Sequence, residues 1–206
     1  MNIDIEPLLF LGWIAFAASL LNMIADWALM GFPIAGRDLE LRMIGDKPRK
    51  HVEIGIYSGL MTLPPWLGIL FPVLYLLQDA SRWLQVLVLM GILLFVMFSL
   101  VFHISHIFLD IAFRSSVDSV IACSVQEKER LKRITAVVTL VMSLAILAAG
   151  IASDVPVWWL ISNPFLVLVV LIVVAKFTPS PVGGYFLAGS GSLGFGIFCL
   201  STMLAL

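Results

Sequence analysis

Six stretches of this chain are long and apolar enough to cross the roughly 30 Å hydrocarbon layer of a bilayer at about 1.5 Å per helical residue. Their limits are about 8–31, 52–77, 83–113, 134–152, 156–175 and 185–206. The runs are continuously apolar rather than alternating, which disfavours a transmembrane barrel. Only 12% of residues are charged and 61% are hydrophobic, too few polar side chains to clothe a soluble domain of this size. The expected fold is therefore all-α: a polytopic membrane protein with six transmembrane helices in one domain, residues 1–206.

The polar connections fix an expected orientation. Arg37, Arg42, Lys47, Arg49, Lys50, Arg114, Lys128, Arg130, Lys132, Arg133 and Lys176 fall on one side, and Arg82 alone on the other. By the positive-inside rule the basic side is cytoplasmic, so both termini lie outside. The matching location is a cytoplasmic membrane of the bacterial inner-membrane kind. Trp83, Trp158 and Trp159 fall at outer helix ends, where an aromatic belt belongs. The acidic start "MNIDIEP" has no positive n-region, so the first span is expected to be retained. Cys123 and Cys199 lie on opposite sides of this topology, which argues against a disulfide.

Breaks and close approaches are also visible. Pro64-Pro65 should kink the second span, and Gly55 and Gly59 form a small-xxx-small pair that lets another helix approach closely. The four-residue link "QDAS" makes spans two and three an antiparallel hairpin. Asp46 before Lys47-Pro48 reads as a helix N-cap, and Ser124 with Glu127 as a capping box opening a long fourth helix. The two three-span halves share no motif, which counts against an inverted-repeat transporter.

The chemistry-bearing residues collect near the basic side. In "FHISHIFLDIAF", His103, His106 and Asp110 stand at i, i+3 and i+7, on one helical face. Counting inward from Trp83 puts His103 near the inner hydrocarbon edge, the level that Asp26 reaches in span one. His51 and Glu53 open span two from the same side. These six residues are the candidate site. Imidazoles and carboxylates suit zinc or a related divalent ion, with His51, His103, His106 and Asp110 as expected ligands. Asp26 and Glu53 are then the expected catalytic acid–base groups. Ser190 and Ser192 in "AGSGSLG" could line the same pocket, although SxSxG is not a nucleophile elbow. Local pairing is the competing expectation: Asp110 with Arg114 and Glu53 with Arg49, each four residues apart. Asn22 is expected to be interhelical glue.

Three function classes follow. One is a metal-dependent intramembrane enzyme, a hydrolase or lipid-modifying activity, acting on a lipid or lipophilic small molecule. A second is a small proton- or ion-coupled transporter, and a third a non-catalytic membrane binder or sensor. Membrane lipids are the expected surroundings and a lipophilic small molecule the expected ligand. Nothing indicates a homo-oligomer, and no basic stripe or nucleic-acid motif appears.

Overall fold

The computed structural model describes residues 4–30, 49–179 and 182–206, and among them every regular element is helical. The helices are α1 (Glu6–Met30), α2 (Arg49–Thr62), α3 (Leu70–Leu76), α4 (Arg82–Ser115), α5 (Asp118–Ala152), α6 (Val157–Ile161), α7 (Pro164–Phe177) and α8 (Val182–Ala205). Five segments are long and apolar enough to cross a membrane: Glu6–Leu29, Arg49–Leu76, Arg82–Ser115, Asp118–Ala152 and Leu187–Ala205. Their outward faces stay apolar: Met61 is 79% exposed and Trp83 80%. A soluble protein rarely leaves so much contiguous apolar surface in water. The chain is an all-helical protein built like an integral membrane protein.

Proline breaks two of the apolar runs. Pro64 and Pro65 remove two backbone donors, and the second run passes from α2 through a tighter 3-10 turn (Pro64–Ile69) into α3. The fifth run was expected to be one helix over 156–175. It is instead divided into α6 and the 14-residue α7, which is only about 21 Å long. At the break Asn163 adopts an extended backbone, and its Oδ1 accepts from Phe165 N at 3.1 Å. Its Nδ2 donates to Ser143 O at 2.9 Å, tying the break to α5.

Other sequence expectations meet mixed outcomes. The α3–α4 hairpin is tight: Gln85 Nε2 reaches the carbonyls of Leu77, Gln78 and Ala80 at 3.0–3.1 Å. The fourth apolar run does enter as one continuous helix, α5. That helix, however, begins at Asp118, so Ser124 and Glu127 lie inside it and form no capping box. The reason is that Ser116 takes a left-handed conformation (φ 56°), which ends α4 and leaves no room for a longer loop. Cys123 accordingly lies on α5; it and Cys199 are both free thiols. Trp83 and Trp158 are exposed, but Trp159 is fully buried, its Nε1 donating to Thr202 Oγ1 at 3.0 Å. The expected N-cap at Asp46 falls outside the described residues.

Two helix pairs carry the architecture. α1 packs along α8, and α4 packs along α5. α2 bridges α1 to α4 on one flank, while α7 bridges α8 to α5 on the other. An aromatic layer closes the space between the pairs at mid-depth. Trp66 stacks on Phe195 with ring centroids 4.5 Å apart and on Phe95 at 5.8 Å. Lipid tails are as apolar as these rings, so dispersion and shape rather than water exclusion hold the layer.

Candidate functional site

Four helices place a connected polar chain just beyond the aromatic layer. Asn22 and Asp26 stand one turn apart on α1, on the face turned toward α8. Ser192 on α8 donates from Oγ to Asp26 Oδ2 at 2.6 Å and accepts from Asn22 Nδ2 at 2.8 Å. The Asn22 amide also lies 3.5 Å from Asp26 Oδ2. Thr62 Oγ1, at the end of α2, is 2.8 Å from both Asn22 Oδ1 and Ser58 O, and shares its one proton between them. From α4, His103 Nε2 faces Asp26 Oδ1 at 3.3 Å. Asp26 and His103 are only 5% and 3% exposed.

The imidazole is held by the absence of a side chain. A Cβ built on Gly59 would overlap Nδ1 and Cε1 of His103. Gly59 therefore makes the ring's seat, while Gly55, one turn earlier, lets α2 close onto Ala25 and Leu29 of α1. The expected small-xxx-small pair thus serves two helices at once. His103 Nδ1 is buried with no partner among the described residues. A lone pair there costs less than an unmet N–H, so the contact to Asp26 favours the tautomer with hydrogen on Nε2.

This chain of groups forms one wall of a cavity of about 340 Å³. Trp66, Phe95, Leu168 and Ile172 make much of its apolar lining, and Lys128 and Lys132 on α5 line it as well. Gly191 also borders it, and a Cβ added there would meet nothing within 4 Å. The Trp66 Nε1 is buried without a hydrogen-bond partner among the described residues.

The six expected site residues divide. Asp26 and His103 come together. His106 is buried on the same helix, but its ring centroid is 6.4 Å from that of His103, and its Nδ1 faces Phe102 O at 2.9 Å. Asp110 instead makes a two-pronged pair with Arg114, 2.9–3.0 Å from Nε. Glu53 pairs with Arg49 at 2.7 Å, and His51 is exposed. Among the described residues no three His, Cys, Asp or Glu side chains converge as a metal would require. Asp26 and His103 offer two donors, so the zinc set expected from His51, His103, His106 and Asp110 is not assembled in this geometry.

Two cavity residues escaped the sequence reading because they were counted only as positive-inside charges. Lys128, 6% exposed, and Lys132 belong to a stripe with Thr135 and Thr139, at i, i+4, i+7 and i+11. That periodicity, running from the basic segment into the apolar run, is the signal that would have found them. Asn22, expected as glue, is a full member of the polar chain.

No curated protein and no solved structure matches this chain. A family profile described as a family of unknown function, DUF6796, matches residues 1–206. The chain belongs to that family.

Proposed function

We propose that this protein crosses the membrane six times, the α6–α7 pair supplying the fifth crossing, with its basic loops cytoplasmic and both termini outside. In this reading it binds a lipophilic small molecule in a cavity near the cytoplasmic face of a cell membrane. One observation carries the proposal: a largely apolar cavity ends on a buried Ser192–Asp26–His103 chain. Pockets of this size and lining are typical of small-molecule sites, with a few convergent polar groups fixing orientation. Ionisable groups inside a membrane bundle are costly and mark ligand or proton sites.

The order of the chain argues for binding over nucleophilic catalysis. A serine nucleophile needs its hydroxyl against the base and the base oriented by a carboxylate. Here the carboxylate sits between hydroxyl and imidazole, so His103 does not touch Ser192. The aromatic layer of Trp66, Phe95 and Phe195 separates this site from the polar groups of the other half, Ser162, Asn163 and Thr202, which bond among their own neighbours. A one-sided binding cavity fits that closure better than an open pathway.

The test uses the purified protein in nanodiscs and an uncharged, environment-sensitive fluorescent lipophile. The wild type should bind it saturably. Gly191→Leu, which enters open space and improves helix propensity, should weaken binding about tenfold or more while leaving the unfolding temperature unchanged or raised. Non-saturable partitioning, or binding indifferent to Gly191→Leu, would contradict the proposal.

A further inference from the structure

We infer that the ligand of this cavity is a neutral lipophilic alcohol or phenol, whose hydroxyl donates its proton to Thr135, Thr139 or Ser190. The inference rests on the binding reading above and adds the ligand's charge and its hydrogen-bonding sense.

A hydroxyl carries one proton and two lone pairs. On the α5 and α8 walls of the cavity those protons are all committed. Thr135 Oγ1 donates to Leu131 O at 2.9 Å, Thr139 Oγ1 to Thr135 O at 2.7 Å, and Ser190 Oγ to Leu187 O at 2.9 Å. Ser192 Oγ donates to Asp26 Oδ2 and already accepts from Asn22 Nδ2. What the hydroxyls of these walls offer a guest is therefore lone pairs, on Thr135, Thr139 and Ser190. Thr139 and Ser190 are only 3% and 5% exposed, and hydrocarbon around them supplies no donor of its own. Ser99 on α4 also borders the cavity and can serve in either sense.

The charged groups of the site are matched without a guest. Asp26 receives Ser192, Asn22 and His103. Glu129 lies 3.9 Å from Lys132, and Lys128 is engaged as well. A charged head would meet groups that already hold their partners, and would lose its hydration for little return. Depth agrees with a neutral head. Thr135 and Thr139 lie inside the apolar run of α5 that begins near residue 134, below headgroup level. Size narrows the guest further. At about 30 Å³ for each water-sized group, 340 Å³ holds roughly eleven groups. That suits one short chain, or a small ring against Trp66, Phe95 and Phe102, and excludes enclosing a two-chain phospholipid.

The experiment displaces an uncharged fluorescent lipophile lacking O–H and N–H groups from the full-length protein in zwitterionic nanodiscs. The competitors, compared at equal mole fraction in the bilayer, form three pairs. They are decanol and its isomer methyl nonyl ether, para-pentylphenol and para-pentylanisole, and decanoate and decylamine. Decanol or para-pentylphenol should displace the probe about tenfold better than its own ether, with decanoate and decylamine weaker than either hydroxyl compound. The better of the two hydroxyl compounds identifies the guest as a chain or a ring. Thr135→Val with Thr139→Val and Ser190→Ala should bring alcohol and ether to parity while probe binding persists. Each of these hydroxyls bonds only its own helix backbone among the described residues, so the unfolding temperature should hold. Should the triple variant fail to fold, Thr139→Val alone should still reduce the preference severalfold, and Thr139→Ser should keep it. Parity within both ether pairs in the wild type, stronger displacement by either ion, or a preference that survives loss of the hydroxyls would overturn the inference and leave the binding reading standing. Absence of saturable probe binding in the wild type would overturn both.

Discussion

Asp26→Ala is expected to destabilise the protein by about 3 kcal/mol, the low end of the cost of leaving three buried donors unsatisfied at about 1–3 kcal/mol each. The carboxylate receives Ser192 Oγ, Asn22 Nδ2 and His103 Nε2, so its removal strands donors from three helices in a place with little water. The low end is chosen because single interhelical bonds in bilayers average only about 0.6 kcal/mol, the unfolded chain finding substitutes within the membrane. Asp26→Asn keeps one acceptor oxygen and should cost about 1 kcal/mol. Unfolding in mixed micelles titrated with a denaturing detergent measures both. An Asp26→Ala variant as stable as the wild type would mean that the polar chain contributes no structure.

The second large effect is a pair of substitutions whose costs should fail to add. Gly59→Ala drives a methyl group into the His103 ring, and overpacking of this kind costs about 1–3 kcal/mol. His103→Ala removes the ring and leaves Asp26 one donor short. Once the ring is gone, the Gly59→Ala methyl occupies vacated space. The double variant should therefore be no less stable than His103→Ala alone, with a coupling energy of at least about 1 kcal/mol. Additive losses in the same unfolding assay would show that Gly59 and His103 do not touch.

What could be read from the chain differs by the range of the interaction. Apolar run length and proline position act locally, and they predicted five helical segments long enough to cross a membrane, the break at Pro64-Pro65 and the α3–α4 hairpin. The break at Asn163-Pro164 is as local, yet the expected span 156–175 runs straight through it, with these residues in its outer half, because the flanking residues are apolar. The meeting of Asp26 and His103 followed from counting depth, since both reach the same level on their helices. Depth alone could not decide Glu53 and Asp110, which stand at similar levels and have an arginine four residues away. Their fate depends on which face each helix turns inward. α2 turns Val52, Ile56 and Gly59 inward, so Glu53 is left beside Arg49. α4 buries His103 and His106, but a 6.4 Å separation of their rings is a matter of rotamers that periodicity does not fix. Lys128 was hidden by its own usefulness: a lysine before a span serves equally as a topology marker and as a cavity wall.

Thiol accessibility at position 191 tests most directly whether a cavity on the basic side reaches the Asp26–His103 pair. Gly191→Cys is placed in a Cys123→Ser background, because Cys123 is exposed whereas Cys199 is fully buried. A membrane-impermeant maleimide is then applied to sealed vesicles of either orientation. Fast labelling from the side bearing the basic loops only, slowed by the uncharged lipophile, is the predicted result. Labelling from the opposite side, or none from either, would contradict it.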